Sequence, residues 1–288
     1  MSISTPNHRH KARTPTRLLR VERGRAFSRS DQLATEEPLE IRLQSGLGES
    51  RTLAVTMRTP GHDFELAAGF LFAEGVVASR SEIRRIAYCT DPGEPQQYNI
   101  VNIELASDTL PSLAPLERHF YTTSACGVCG KAGLENLRLR YEPLEPGFKV
   151  SSQMLVELPG LLSQHQALFQ RTGGLHAAAL FDQFGKLLAL REDVGRHNAL
   201  DKLLGWAFLE NRLPLCEHIV LVSGRASYEL AQKTLAAGIP ILAAISAPSS
   251  LAVELASQFN LTLVGFLRGA FNVYCGAERI ALDPPAQT

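Results

Sequence analysis

The chain has 288 residues, 45% of them hydrophobic and 20% charged, enough for one large domain or two small ones and too apolar for a disordered polymer. No run approaches the roughly 18 consecutive apolar residues of a membrane span, so no membrane association is expected. Formal net charge is zero but uneven: residues 1–25 carry seven Lys and Arg against Glu22 alone, which leaves −6 for the rest.

Residues 1–35 are polar, Arg-rich and interrupted by proline, and read as a flexible basic tail. The basic stretch has no apolar segment of the kind a secretory signal needs. Such a stretch could touch nucleic acid or an acidic partner, but residues 1–25 have no aromatics to stack on bases, so no nucleic-acid partner is expected. A first block, 36–150, opens with strand-like alternation at 39–43 and 53–57. Thr59-Pro-Gly-His-Asp-Phe-Glu-Leu-Ala-Ala-Gly-Phe-Leu-Phe72 reads as a helix, with Thr59 as cap, Pro60 in the first turn and Asp63 and Glu65 at the positive end of the dipole. Its stripe is Phe64, Ala67, Ala68, Leu71 and Phe72. Residues 98–105 read as a strand.

The second block, 151–288, begins with strands 176–181 and 187–190, joined by the turn Asp182-Gln-Phe-Gly185. A helix from about Asp193 follows, with the stripe Leu200, Leu203, Leu204, Ala207 and Phe208. Strands at 218–222, 241–245 and 261–266 then alternate with helices at 228–237 and 251–259. That alternation predicts an α/β sandwich in which parallel strands are covered on both faces, with the opening hairpin adding an antiparallel pair.

The sharpest chemical feature is Thr122-Thr-Ser-Ala-Cys-Gly-Val-Cys-Gly130. Two thiols three residues apart, beside glycines that leave the backbone free to turn, suit zinc binding, disulfide cycling or persulfide relay, each of which needs a thiolate. Cys89, Cys216 and Cys275 are isolated, which offers zinc no obvious four-ligand set. A zinc base deaminase would carry His-x-Glu and then Pro-Cys-x-x-Cys. Here Ala178 stands in place of that Glu, Ala125 in place of the Pro, and the thiols precede His176. Thioredoxin-type exchange would place the pair at a helix start, but Gly130 and Gly133 follow. Five cysteines without a signal segment fit a reducing cytoplasm.

Polar, Gly-rich turns supply the other candidates. Arg171-Thr-Gly-Gly-Leu-His176 leads into a strand, where a lone histidine is most often structural. In Arg191-Glu-Asp-Val-Gly-Arg-His-Asn198, Asp193, His197 and Asp201 recur at i, i+4 and i+8 on one helical face, and Arg196 suits an anion. The plainer reading there is a capped helix with surface ion pairs. Ser223-Gly-Arg-Ala-Ser227 lies between a strand and a helix, the position at which doubly wound sheets bind phosphates. Gly265-Phe-Leu-Arg-Gly-Ala270 follows the last strand.

Together these blocks resemble the FdhD family of sulfur carrier proteins required for active formate dehydrogenase. The resemblance rests on Thr59-Pro-Gly-His-Asp-Phe-Glu-Leu, Ser124-Ala-Cys-Gly-Val-Cys-Gly130, Thr172-Gly-Gly-Leu-His176, Glu192-Asp-Val-Gly-Arg-His-Asn198, Ser223-Gly-Arg-Ala-Ser-Tyr-Glu229 and Leu261-Thr-Leu-Val-Gly-Phe-Leu-Arg-Gly269, and spans roughly 35–276. It implies a cytidine-deaminase-like three-layer α/β sandwich with a mixed, mostly parallel sheet, plus a smaller N-terminal α+β part carrying the thiol loop. It implies a cytoplasmic homodimer that takes sulfur from a cysteine desulfurase. The sulfur passes to the molybdenum cofactor, in its bis-molybdopterin guanine dinucleotide form, before insertion into the formate dehydrogenase catalytic subunit. Cys126 would carry the persulfide, with Cys129 as second thiol and no permanently bound metal. The cofactor-binding segment falls on Phe266, Leu267, Arg268, Gly269, Ala270 and Phe271, with Ala270 where a polar residue is expected. His176, Arg196, His197, Ser223 and Arg225 are the further cofactor-binding candidates. The alternatives are a cofactor-binding chaperone without sulfur chemistry and a zinc-dependent deaminase-like enzyme.

Overall fold

The computed structural model describes residues 11–90, 96–111, 141–147 and 149–282. Its first element corrects the expectation of a tail. Strands β1 (Arg13–Glu22) and β2 (Arg25–Ala34) form an antiparallel hairpin, turned at Arg23 and Gly24, both at positive φ. Sequence alternation does not reveal these strands because neither face of the ribbon is buried: Val21 on one face and Phe27 on the other are 65% and 52% exposed.

The first half follows. Strands β3 (Glu37–Gln44), β4 (Ser50–Arg58), β5 (Ile83–Tyr88) and β6 (Ile100–Leu105) make a sheet in the order β4-β3-β6-β5. Helix α1 (Asp63–Ala73) covers it. Leu66, Ala67, Ala68 and Leu71 of α1 meet Leu39, Ile41, Leu43, Val101 and Ile103 of the sheet in one core. The helix starts three residues later than its sequence suggests. Its N-cap is His62 in the left-handed region, with no side-chain cap, and Thr59 is buried outside it.

The second half begins with the short strand β7 (Val150–Ser151) and helices α2 (Ser152–His165) and α3 (Phe169–Thr172). Strands β8 (His176–Asp182) and β9 (Leu187–Asp193) form the expected hairpin. Helix α4 (Arg196–Leu209), strand β10 (His218–Val222), helix α5 (Tyr228–Ala236), strand β11 (Ile241–Ala244), helix α6 (Ser250–Gln258) and strand β12 (Thr262–Gly265) then alternate as expected. β13 (Asn272–Cys275) and β14 (Ile280–Ala281) finish the chain; β14 pairs with β7.

The main sheet has the order β13-β12-β11-β10-β8-β9. Its parallel share is smaller than expected. Only β10, β11 and β12 run parallel, because the β8–β9 hairpin and the returning strand β13 add antiparallel pairs at both sides. The three layers are as expected, and alternate residues sort them. Val220, Val222, Leu242 and Leu263 pack against Leu200, Leu203 and Leu204 of α4 and Leu230 and Leu255 of α5 and α6. Ile219, Leu221, Ile241 and Val264 point the other way, onto Leu155, Leu158 and Leu162 of α2. Each such leucine or isoleucine contributes about 1.5–3 kcal/mol by leaving water.

The halves join along α1 and α4, which touch at Gly69 and Gly205. A Cβ on Gly69 would land on the Asp201 carbonyl oxygen, and one on Gly205 on that of Glu65. Backbones this close need glycine at the crossing. Phe72 and Phe208 close the contact, ring centroids 5.5 Å apart.

Candidate functional site

β8 runs against β10, so its first residue lies at the edge of the sheet where β10, β11 and β12 end. Register places His176 opposite Asp193, the last residue of β9. One edge thereby gathers His176, the turn from Asp193 into α4, and the loops 223–227, 245–249 and 266–271. In open α/β sheets this edge is the usual ligand crevice.

Backbone hydrogen bonds lace the loops together. Ser223 exchanges bonds with Ala177: its N–H donates to the Ala177 carbonyl and its Oγ accepts from the Ala177 N–H, both at 2.9 Å. Ser246 N–H donates to Gly224 O at 3.3 Å, Phe266 N–H to Ser246 O at 3.1 Å, and Arg268 Nε to Ile245 O at 3.1 Å. Phe266 sits at φ 56° and is exposed, whereas Leu267 is fully buried in the core. The Leu267 side chain packs in the core with Val264 and Leu155 rather than toward the crevice. Phe271 is half-buried against the same core, and Arg268, Gly269 and Ala270 are exposed.

At the centre, a Cβ on Gly224 would lie 3.4 Å from His176 Nδ1 and 3.7 Å from Arg196 Cδ, so glycine keeps a space open between them. Burial, with the Arg196 cation behind it, holds His176 below the usual histidine range. The ring is consequently neutral at pH 7. Arg196 Nε is buried and has no hydrogen-bond partner among the described residues. An unpaired buried donor on a cation is costly, and an anionic oxygen would satisfy it.

His197 points to a neighbouring group. Its Nε2 is 3.4 Å from Ser227 Oγ and 3.8 Å from Glu229 Oε2. The neighbouring His197 imidazole takes the Glu229 carboxyl down to about 2, against the opposing effect of burial. Arg225 is exposed on the same loop.

The helical face expected for Asp193, His197 and Asp201 does not form, because α4 starts at Arg196 with Gly195 as N-cap. Asp193 is a fully buried anchor. Its carboxylate accepts from Thr59 N–H at 3.1 Å, Gly195 N–H at 2.8 Å and Asn198 Nδ2 at 3.1 Å, and pairs with Lys202 Nζ at 2.6 Å. Lys202 also donates to Thr59 O at 2.8 Å. Asp201 pairs instead with buried Lys233 at 2.7 Å. That cation is held above the usual lysine range because the Asp201 carboxylate outweighs the burial that opposes it. Thr59 was expected only as a helix cap, and Lys202 and Glu229, close to or within the Gly-rich turns, drew no role from spacing alone. Cys126 and Cys129 lie outside the described residues. Among the described residues no three His, Cys, Asp or Glu side chains are grouped to hold a metal, and no helix is long and apolar enough to cross a membrane.

The sequence model of the FdhD/NarQ family matches residues 34–281, which span the crevice and both halves. The chain belongs to the FdhD/NarQ family. Among FdhD/NarQ relatives, one from Streptomyces coelicolor named sulfur carrier protein FdhD is 52% identical over 273 residues, covering 92% of this chain and 95% of its own. A Mycobacterium tuberculosis protein of the same name is 50% identical, covering 92% and 97%. One from Anaeromyxobacter dehalogenans is 43% identical, covering 88% and 90%. A crystal structure from Desulfotalea psychrophila, described as a candidate formate dehydrogenase accessory protein, is similar with a TM-score of 0.74 and 26% identity, covering 94% of this chain and all of that one. The FdhD/NarQ match begins at the last residue of β2, so nearly all of the N-terminal hairpin precedes it.

Proposed function

We propose that this chain is a sulfur carrier that receives persulfide sulfur from a cysteine desulfurase on Cys126 and delivers it to a molybdenum cofactor destined for formate dehydrogenase. What carries the reading is the family match over residues 34–281 with both thiols of Cys126-Gly-Val-Cys129 inside it, among relatives named as sulfur carriers. The crevice supports the acceptor side. Its Arg196 donor, the space at Gly224 and the backbone N–H groups of the loops suit a ligand rich in phosphate oxygens, such as a guanine dinucleotide.

In loading, the Cys126 thiolate attacks the outer sulfur of the donor persulfide. The donor's S–S bond breaks, the donor leaves as a thiolate, and Cys126 holds S–SH. The terminal sulfur of a persulfide is more acidic than a thiol and so is nucleophilic near neutral pH. Molybdenum in the bound substrate supplies a soft sulfur-accepting centre. Arg196, Arg225 and Arg268 would hold its phosphates, with Ser223 and Gly224 admitting them closely and neutral His176 offering a hydrogen bond without charge. Cys129 would attack the inner sulfur of Cys126–S–SH and expel hydrosulfide, leaving a Cys126–Cys129 disulfide that a thiol reductant reopens.

The test is intact-mass spectrometry under non-reducing conditions after incubation with cysteine and a cysteine desulfurase. The chain is expected to gain about 32 Da, one sulfur atom, on the Cys126 peptide, and Cys126→Ala to gain nothing. A Cys126→Ala protein that still supports formate dehydrogenase activation would instead mark a cofactor chaperone without sulfur chemistry.

A further inference from the structure

The crevice chemistry leaves the β1–β2 hairpin unused. Its register runs without a break from Arg13 opposite Ala34 to Glu22 opposite Arg25. A ribbon of that length spans on the order of 33 Å. An isolated two-stranded hairpin is marginal in water, because it has no layer to bury its apolar residues. Here Leu19, Val21, Phe27 and Leu33 are all at least half exposed. By the register, Leu19, Val21 and Ala26 share one face with Arg17, and Leu18, Phe27 and Leu33 share the other with Arg20, Arg25 and Arg29. The first face is apolar toward the turn with Arg13 and Arg17 toward the root; the second interleaves its apolar and arginine side chains and also carries Asp31 and Glu22, which pairs with Arg20 at 2.5 Å.

The hairpin carries six arginines and no lysine against Glu22 and Asp31, net +4, so the rest of the chain sums to −4. Arginine with aromatic and aliphatic neighbours is the composition of a protein interface, and lysine is depleted there. A face of one sign steers a partner of the other. A symmetric hairpin-on-hairpin contact between two copies would oppose +4 with +4. A nucleic-acid strand would meet Leu19 and Val21 with phosphates.

Position narrows the partner further. Thr35 N–H donates to Ala12 O at 3.0 Å, which closes the hairpin root, and α3 packs against β2. A Cβ on Gly174 would lie 3.7 Å from Ala34 Cβ, two residues before His176 at the crevice centre. The hairpin root therefore lies beside the crevice rim, and its turn end extends up to about 33 Å along the ribbon from it. Within the sulfur-carrier reading, the acceptor is a small ligand that the crevice itself can hold. The donor's sulfur, in contrast, is covalently bound to a protein and can be passed only by direct contact between two chains.

We propose that the β1–β2 hairpin is the docking arm for the persulfide-bearing donor protein, which meets it through an acidic surface with apolar side chains of its own. This rests on the sulfur-carrier reading. The test compares sulfur loading from cysteine desulfurase plus cysteine with loading from inorganic polysulfide, where the thiolate simply displaces a shorter polysulfide chain. Two variants are used, R17E/R25E/R29E and L19S/F27S. Both are expected to lower the rate of loading at limiting desulfurase by about tenfold or more, and the first also to flatten its dependence on salt. Polysulfide loading should match the unmodified chain in both, which also reports that the variants are folded. Unchanged loading from desulfurase overturns the docking arm alone. A change confined to the sedimentation of the chain also overturns it, in favour of self-association. An unmodified chain that takes sulfur from neither donor overturns the carrier reading itself.

Discussion

Asp193 and Lys202 show how one residue pair can hold a site without taking part in its chemistry. The carboxylate has no solvent exposure, and all of its partners come from the turn it sits in, from α4, or from Thr59, 134 positions earlier in the chain. Removing one member leaves the other charge buried and unpaired, which costs far more than the pair contributes. Lys202→Met is therefore expected to lose about 3–5 kcal/mol, read from urea denaturation. Adding Asp193→Asn should recover part of that loss, because the uncompensated charge is gone. Arg84 and Glu104 also pair at 3.0 Å, but on the surface, and Arg84→Ala should cost no more than about 1 kcal/mol. Helical spacing in the sequence put Asp193 on a face with His197 and Asp201. The error is physical: Gly195 is the N-cap and the helix starts at Arg196, three residues later, and a carboxylate satisfied from a distant segment has no local signature. Arg196 and His176 were legible because both stand in Gly-rich turns at strand or helix ends.

Among the elements, the α1–α4 crossing reverses an ordinary expectation. In an exposed helix interior, Gly→Ala stabilises by up to about 1 kcal/mol. Gly160 in α2 has open space where its Cβ would go, so Gly160→Ala should be neutral or stabilising. Gly205→Ala would drive a methyl into the Glu65 carbonyl, with Gly69 N also 2.8 Å away. That forces the helices apart and should destabilise by at least about 1–3 kcal/mol, the cost of overpacking. Thermal denaturation of both variants reads the opposite signs directly. Elements buried on a face announced themselves: the run Ile219-Val-Leu-Val222 covers all of β10 but its first residue, His218. Others did not, and three show why. The β1–β2 hairpin buries neither face, α2 is interrupted by Pro159, and β13 is mostly exposed. Hydrophobic periodicity reports burial, so a strand or helix that buries little, or breaks its own pattern, leaves no trace in it.

Across the whole molecule, side chains are shared across the division drawn at residues 150 and 151. Phe208 lies on α4 in the second half, yet it belongs to the core of the first, beside Leu66 and Leu71. Phe72 and Leu213 pack against both cores. Arg191 on β9 and Glu65 on α1 add an ion pair across the same join at 2.5 Å. Chains well above 150 residues commonly unfold domain by domain. Here the shared side chains and the glycine crossing mean that melting either half strips packing from the other. Unfolding is therefore expected as one transition, with the calorimetric enthalpy equal to the van't Hoff enthalpy. The single tryptophan makes this measurable at the join. Trp206 lies on α4, with the Arg212 guanidinium 4.9 Å from its ring centroid and that of Arg191 at 6.0 Å. Its fluorescence should change at the same midpoint as the far-ultraviolet circular dichroism of the entire chain. Two separated midpoints would mean that α4 melts with one half alone, and that the crevice keeps its shape without the N-terminal sheet behind it.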